Sequence, residues 1–153
     1  MQNNNTKTII KDLNLELDST EIKELNELLE DIETEIVEDI ILFINETDGQ
    51  DSAIEVIEEI LNKIDSEDDF YIEVDSKEYR FIHDRIIEDE FYNYQVDLID
   101  ECYLSNVPEI VKNYFDYDKF ISDCEYDGYA NTFSSYDGST EIELTNYTVF
   151  RTN

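Results

Sequence analysis

From Ile22 to Phe43 the apolar residues Ile22, Leu25, Leu29, Ile32, Ile36, Ile40 and Phe43 recur three and four positions apart. That spacing places them on one stripe of a helix. At about 100° per residue, Glu24, Glu27, Glu30, Asp31, Glu35 and Glu38 fall on the opposite side. Such a segment must bury the stripe and leave the carboxylates in water, so it predicts a helical layer with an acidic outer face. Asp18 is placed to cap this helix, with Glu21 as its capping-box partner. From Ile40 to Ile44 every position is apolar, so this end is either buried all round or meets a partner. A break near Val37 is the alternative to one continuous helix.

The acidic face is not local. The chain of 153 residues carries 41 Asp plus Glu against 10 Lys plus Arg, a formal charge of -31. Solubility alone calls for a net charge of about 2 to 8 in a small domain. The excess works against compaction through self-repulsion and needs a reason. It excludes nonspecific attraction to nucleic acid or anionic membrane, which requires a basic footprint, and favours a basic partner. Eleven Tyr, eight Phe, three Gly and one Pro describe a folded protein with an acidic skin and not a disordered acidic tail.

Ahead of the helix, residues 1 to 8 are polar and read as disordered. Leu13, Leu15 and Leu17 alternate with polar residues and predict a short strand. A second helix is predicted over Ser52 to Ile64, with Ile54, Ile57, Leu61 and Ile64 inward. The segments DFYIEVD and EYRFI flank Ser76-Lys77 as a β-hairpin. A third helix runs from about Asp84 to Tyr103, burying Ile87, Phe91, Tyr94, Leu98 and Cys102. Pro108 opens a short helix, and residues 116 to 125 form another. The C-terminal stretch is rich in β-formers, with Asp137-Gly138 as its turn signal. The predicted class is α+β: acidic helices, a small β-hairpin in the middle and a short antiparallel β tail. Two modules are expected, a helical one over residues 1-65 and an α+β one over 66-153.

A search for chemistry yields no catalytic residue. The single histidine, His83, has no nucleophile signature to serve and reads as a strand-end residue. Cys102 and Cys124 make neither a disulfide framework nor a zinc site. Cys102 reads as lying on an apolar helix face and Cys124 among acids, settings that leave thiols inert. No glycine pattern cradles phosphate. For a calcium loop, Gly49, Gly128 or Gly138 at position 6 puts Ile44, Asp123 or Phe133 at position 1. Only Asp123 is a ligand, and its frame ends on Ser134 where Glu is required. No cofactor and no metal are expected. Neither a signal peptide nor a membrane span is evident, so the cytoplasm is the expected address.

What remains is charge density. The six carboxylates from Glu24 to Glu38 cover about 21 Å of helix, one per roughly 3.5 to 4 Å, close to one strand of B-DNA. Two such surfaces, from two helices or a homodimer, approach a duplex.

The stretch from Val107 to Cys124, VPEIVKNYFDYDKFISDC, resembles the C-terminal part of the ArdA antirestriction proteins. The run Asn113, Tyr114, Asp116, Tyr117, Asp118, Phe120 and Asp123 matches the family's N-Y-x-D-Y-E-x-F-x-R-D pattern. Ser122 stands where the family carries Arg, and residues 1 to 65 do not resemble its N-terminal module. The resemblance covers about a third of the chain, or half if Asp84 to Leu104 is included. It implies an elongated, dimeric, acidic mimic of bent B-DNA that occupies the DNA groove of type I restriction enzymes. The implied role is counter-defence by a phage or mobile element inside the host cell, against a restriction enzyme or another DNA-binding defence protein such as a CRISPR nuclease.

On this reading Glu24, Glu27, Glu30, Asp31, Glu35 and Glu38 supply one phosphate-mimicking face. Asp116, Asp118 and Asp123, matched to the family motif, supply a second. Tyr114 and Tyr117 are expected in the core. The expected partner is a basic DNA-binding defence protein, with no direct binding of nucleic acid or membrane. The rival readings are an acidic adaptor held by an apolar patch at Ile40 to Ile44, and an enzyme acting on a cationic or metal-bound substrate.

Overall fold

The computed structural model describes residues 2–153. Its helices are α1 (Asn4–Asp12), α2 (Ser19–Leu28), α3 (Thr34–Thr47), α4 (Ala53–Lys63), α5 (Asp84–Leu98), α6 (Glu109–Lys112), α7 (Tyr117–Tyr126) and α8 (Ala130–Phe133). The strands are β1 (Asp69–Val74), β2 (Lys77–His83), β3 (Glu141–Glu143) and β4 (Tyr147–Arg151). The four strands form a single antiparallel sheet in the order β1-β2-β4-β3. The fold is α+β, and the predicted hairpin and the β tail are two halves of that sheet.

Alternation along the strands gives the sheet two faces. Phe70, Ile72, Val74, Tyr79, Phe81, Ile142, Tyr147 and Val149 face a core completed by α1 to α4. Phe43 of α3 sits at its centre, fully buried, with its ring 4.9 Å from that of Phe81. Burial of such a ring contributes about 1.5–3 kcal/mol. On the other face Ile82 and Phe150 pack with Ile87, Phe91, Ile121 and Phe133 of the later helices. Arg80 also points to this side, gripping Asp69 with two bonds of 2.9 and 2.7 Å. The Asp69 hydrogen bond holds the guanidinium pKa above its usual value, despite partial burial.

The N-terminal segment is helical where the sequence predicts disorder. Asn3 caps α1 by accepting from the Thr6 N–H at 2.8 Å, and its own N–H donates to Asn26 Oδ1 at 3.0 Å. Asn5 donates to the Leu29 and Ile32 carbonyl oxygens. The asparagines that look like coil are cap and brace. Leu13, Leu15 and Leu17 form no strand, since no neighbouring strand offers them a ladder. Asn14 adopts φ 54° and ends α1, a left-handed position Asn tolerates. Leu13 is buried and the other two leucines pack against the same core.

The helix predicted from Ile22 to Phe43 is two helices. Asp18 and Glu21 form the capping box of α2, but the chain breaks after Leu28 and resumes at Thr34. Asp31 sits at the break with φ 60°. Leu25, Leu29, Val37, Ile40, Phe43 and Ile44 all still reach the core. The break lies earlier than Val37.

The hairpin turn is Asp75-Ser76, one residue before the predicted pair, with φ 50° and 71°. Two consecutive left-handed residues are the turn whose twist suits a two-residue hairpin. On α5 the inward residues are Ile87, Phe91, Gln95 and then Ile99. Tyr94 is exposed and Leu98 only half-buried. Gln95 is buried because its amide donates to Thr132 Oγ1 at 2.8 Å. A wider turn over Ile99–Tyr103, closed from the Leu104 N–H to the Ile99 carbonyl, brings Leu104 inward and turns Cys102 out to solvent. Asp137-Gly138 does not turn the C-terminal hairpin; Leu144 to Asn146 does. Asp137 instead accepts the Ser139 and Thr140 N–H groups and the Ser134 and Thr140 hydroxyls, which hold its carboxyl well below the usual range.

Candidate partner-binding surface

All nine carboxylates singled out from the sequence are exposed. Their arrangement differs from a single ladder. Glu24 and Glu27 lie on α2, Glu30 and Asp31 in the break, and Glu35 and Glu38 on α3. The even spacing expected of one straight helix therefore does not hold, and the charges follow two helix axes joined at Asp31.

The second set is on and beside α7. Asp116 caps that helix, accepting from the Lys119 N–H at 3.0 Å. Asp118 accepts from the Tyr92 hydroxyl at 3.1 Å, and the neighbouring Asp100 accepts from the Tyr117 hydroxyl at 2.6 Å. Each carboxylate raises the pKa of the tyrosine that donates to it. Asp123 has no such fold contact among the described residues. Tyr117 is half-buried against Phe115, at 5.1 Å between rings, but Tyr114 is 85% exposed and not in the core. The four-residue α6 is too short to bury a face, so Ile110 and Val111 are also in solvent beside it. That shortness was the signal available in the sequence.

Cations do little to neutralise this surface. Among the described residues the ion pairs engage Asp68, Asp69, Glu90 and Glu109 only. Arg85 is committed to Asp68, Arg80 to Asp69 and Glu90, and Lys112 to Glu109. Arg151 lies over the Tyr136 ring at 3.5 Å. Among the described residues none of the nine candidate acids is in an ion pair.

The apolar run at Ile40 to Ile44 does not form the docking patch of the rival adaptor reading. Ile40, Phe43 and Ile44 are in the core, and only Leu42 is exposed. His83 ends β2 as expected. Its Nδ1 accepts from the Arg85 N–H at 3.1 Å and its ring meets Tyr147 edge-on. Burial and the nearby Asp127 and Asp123 push the Cys124 thiol up, away from reactivity. Among the described residues no group of three or more His, Cys, Asp or Glu converges as a metal-ligand set. No helix there is long and apolar enough to cross a membrane.

No curated protein and no solved structure matches the chain. The family model of the antirestriction protein ArdA matches residues 7–138. The match takes in most of α1 and all of α2 to α4, which corrects the expectation that residues 1 to 65 fall outside the family: the N-terminal helices lie within its span. With nearly the whole chain so matched, from the acid-faced helices to the α7 motif, the protein belongs to the ArdA antirestriction family.

Proposed function

We propose that this chain inhibits a restriction enzyme by presenting carboxylates in place of DNA phosphates, and catalyses no reaction itself. The observation that carries the reading is the excess of acid: a formal charge of -31, with exposed acids on α2, α3 and α7 that enter no ion pair among the described residues. A basic DNA-binding cleft gains from such a surface what it gains from a duplex, attraction that weakens as salt rises. Glu24, Glu27, Glu30, Asp31, Glu35 and Glu38 form one contact face, and Asp116, Asp118 and Asp123 a second. The chain does its work in the host cytoplasm, where the enzyme meets foreign DNA. A homodimer, setting two such faces side by side, belongs to the same reading.

The test is competition. Purified protein should displace labelled duplex from a type I restriction enzyme, with an apparent affinity that falls steeply with ionic strength, and should not itself shift naked duplex. An enzyme that holds duplex and this protein together without mutual loss of affinity would overturn the reading.

A further inference from the structure

A cleft of roughly 490 Å³ opens between α3, the loop after α4, the start of α5 and the β3–β4 turn. Its floor is Asp39, the one carboxylate among the buried residues of the described chain, at 8% exposure. Asp39 Oδ1 accepts from both the N–H and the hydroxyl of Thr145, at 3.0 and 2.9 Å. Oδ2 has no hydrogen-bond or ion-pair partner among the described residues, although Asp39 lines the cleft. The sealed side-chain atoms without a partner among the described residues are Thr6 Oγ1 and Ser52 Oγ, so Asp39 Oδ2 is not sealed, and the capacity it keeps out of the about four hydrogen bonds a carboxylate can accept is open to a donor entering the cleft.

The walls supply more negative charge and a single cation. Glu33, Glu35, Asp65 and Asp68 line the cleft beside Asp39, against Arg85. Arg85 is already spent: its Nε donates to Asp68 Oδ2 at 3.1 Å and its terminal nitrogen to Oδ1. The cleft thus holds one guanidinium on one wall and leaves Asp39 and Glu35 without any. A larger acidic cleft between α2 and α4 contains no buried acid, and its Glu21 is already engaged by the Asp18 N–H.

We propose that this cleft is a socket for an arginine side chain of a protein partner, its guanidinium held between Asp39 Oδ2 and Glu35. Arginine fits better than lysine because a planar fork of donors can satisfy two carboxylates at once. The proposal rests on the reading of a basic partner and gives that partner a specific anchor, beyond diffuse attraction.

The probe is N-acetyl-arginine N-methylamide, with the neutral citrulline analogue as control, titrated into the full chain at fixed pH and ionic strength. Carbon-detected NMR follows the carboxyl resonances. The arginine probe should move Asp39 and Glu35 saturably and the citrulline analogue should not. Asp39→Asn keeps an oxygen for Thr145 but puts an amide where Oδ2 stood, and should abolish the saturable shift. Glu35→Gln leaves the Thr145 bonds untouched and should weaken the probe about two- to fivefold, the weight of one ion pair at an exposed site; it serves if the Asp39 variant fails to fold. Shifts spread evenly over distant acids such as Glu55 and Glu141, or no shift at Asp39, would overturn the socket. The probe experiment contains no enzyme, so its failure leaves competition with DNA to be judged separately.

Discussion

The Tyr147 hydroxyl lies 2.7 Å from the Glu67 carbonyl oxygen and also contacts that of Ile64, so a side chain on β4 closes the loop that leaves α4. The Tyr147 ring is buried in the helix-covered core, against Phe70 at 5.5 Å. One side chain therefore joins the helical layer to the sheet by both packing and hydrogen bonding. Tyr147→Phe keeps the ring and strips the two carbonyls of their donor. Because a buried acceptor without a partner costs about 1–3 kcal/mol, urea unfolding should show a loss of that order. A stability loss near zero would mean that water replaces the hydroxyl freely.

Asp39 makes stability depend on pH with a defined sign. Burial, helped by Glu38 and Glu35, raises its carboxyl above the ordinary 3.8 although Thr145 works in the opposite direction. The folded state then binds a proton more tightly than the unfolded chain. Stability from this group grows as pH falls through the raised folded pKa, and is fully gained below the unfolded value. Asp137 acts oppositely: its depressed pKa gives stability that persists above the unfolded value and is lost only in stronger acid. Between neutrality and about pH 4 the Asp39 effect operates alone of these two. Chemical denaturation should show the wild-type chain gaining more stability over that range than Asp39→Asn, whose residue 39 cannot ionise. Parallel curves would show that Asp39 ionises in the fold as readily as in the unfolded chain.

Elements written in local spacing are legible in the sequence. The Asp18–Glu21 capping box, the apolar face of α4, the β1–β2 hairpin and α7 behind its Asp116 cap all depend on residues a few positions apart. What is not legible depends on partners far along the chain. Asn5 is a brace only because the Leu29 and Ile32 carbonyls lie against it. Gln95 is a core residue only because Thr132 accepts its amide. The exposure of Glu24, Glu27, Glu35 and Glu38 follows from helix periodicity, but their division between two helices does not. A stripe with threes and fours continues in phase across the break at Asp31, and hydrophobic periodicity cannot distinguish one helix from two that feed the same core. Asp39 shows the converse. It is an acid in an acid-rich helix by sequence, and only the approach of Thr145 makes it a buried one.

The division between α2 and α3 sharpens the test of the charged face. Glu24→Gln, Glu27→Gln, Asp31→Asn and Glu38→Gln together remove charge from both helices and the break without replacing a residue that lines the Asp39 cleft. The fold should survive, because all four side chains are exposed and Asn tolerates the left-handed backbone at position 31. Affinity for the restriction enzyme should fall by about 1.5 kcal/mol or more for each acid whose pairing is close and desolvated. The loss should shrink as salt rises, since screening already removes part of what the substitutions remove. A matched set elsewhere, Glu59, Glu73, Glu141 and Glu143 to Gln, changes net charge equally on other exposed surfaces. A much smaller loss for that set assigns the contact to the α2–α3 face. Equal losses would reduce the protein to a polyanion with no preferred face, and no loss from either set would move the contact to α7 and the exposed Tyr114 beside it.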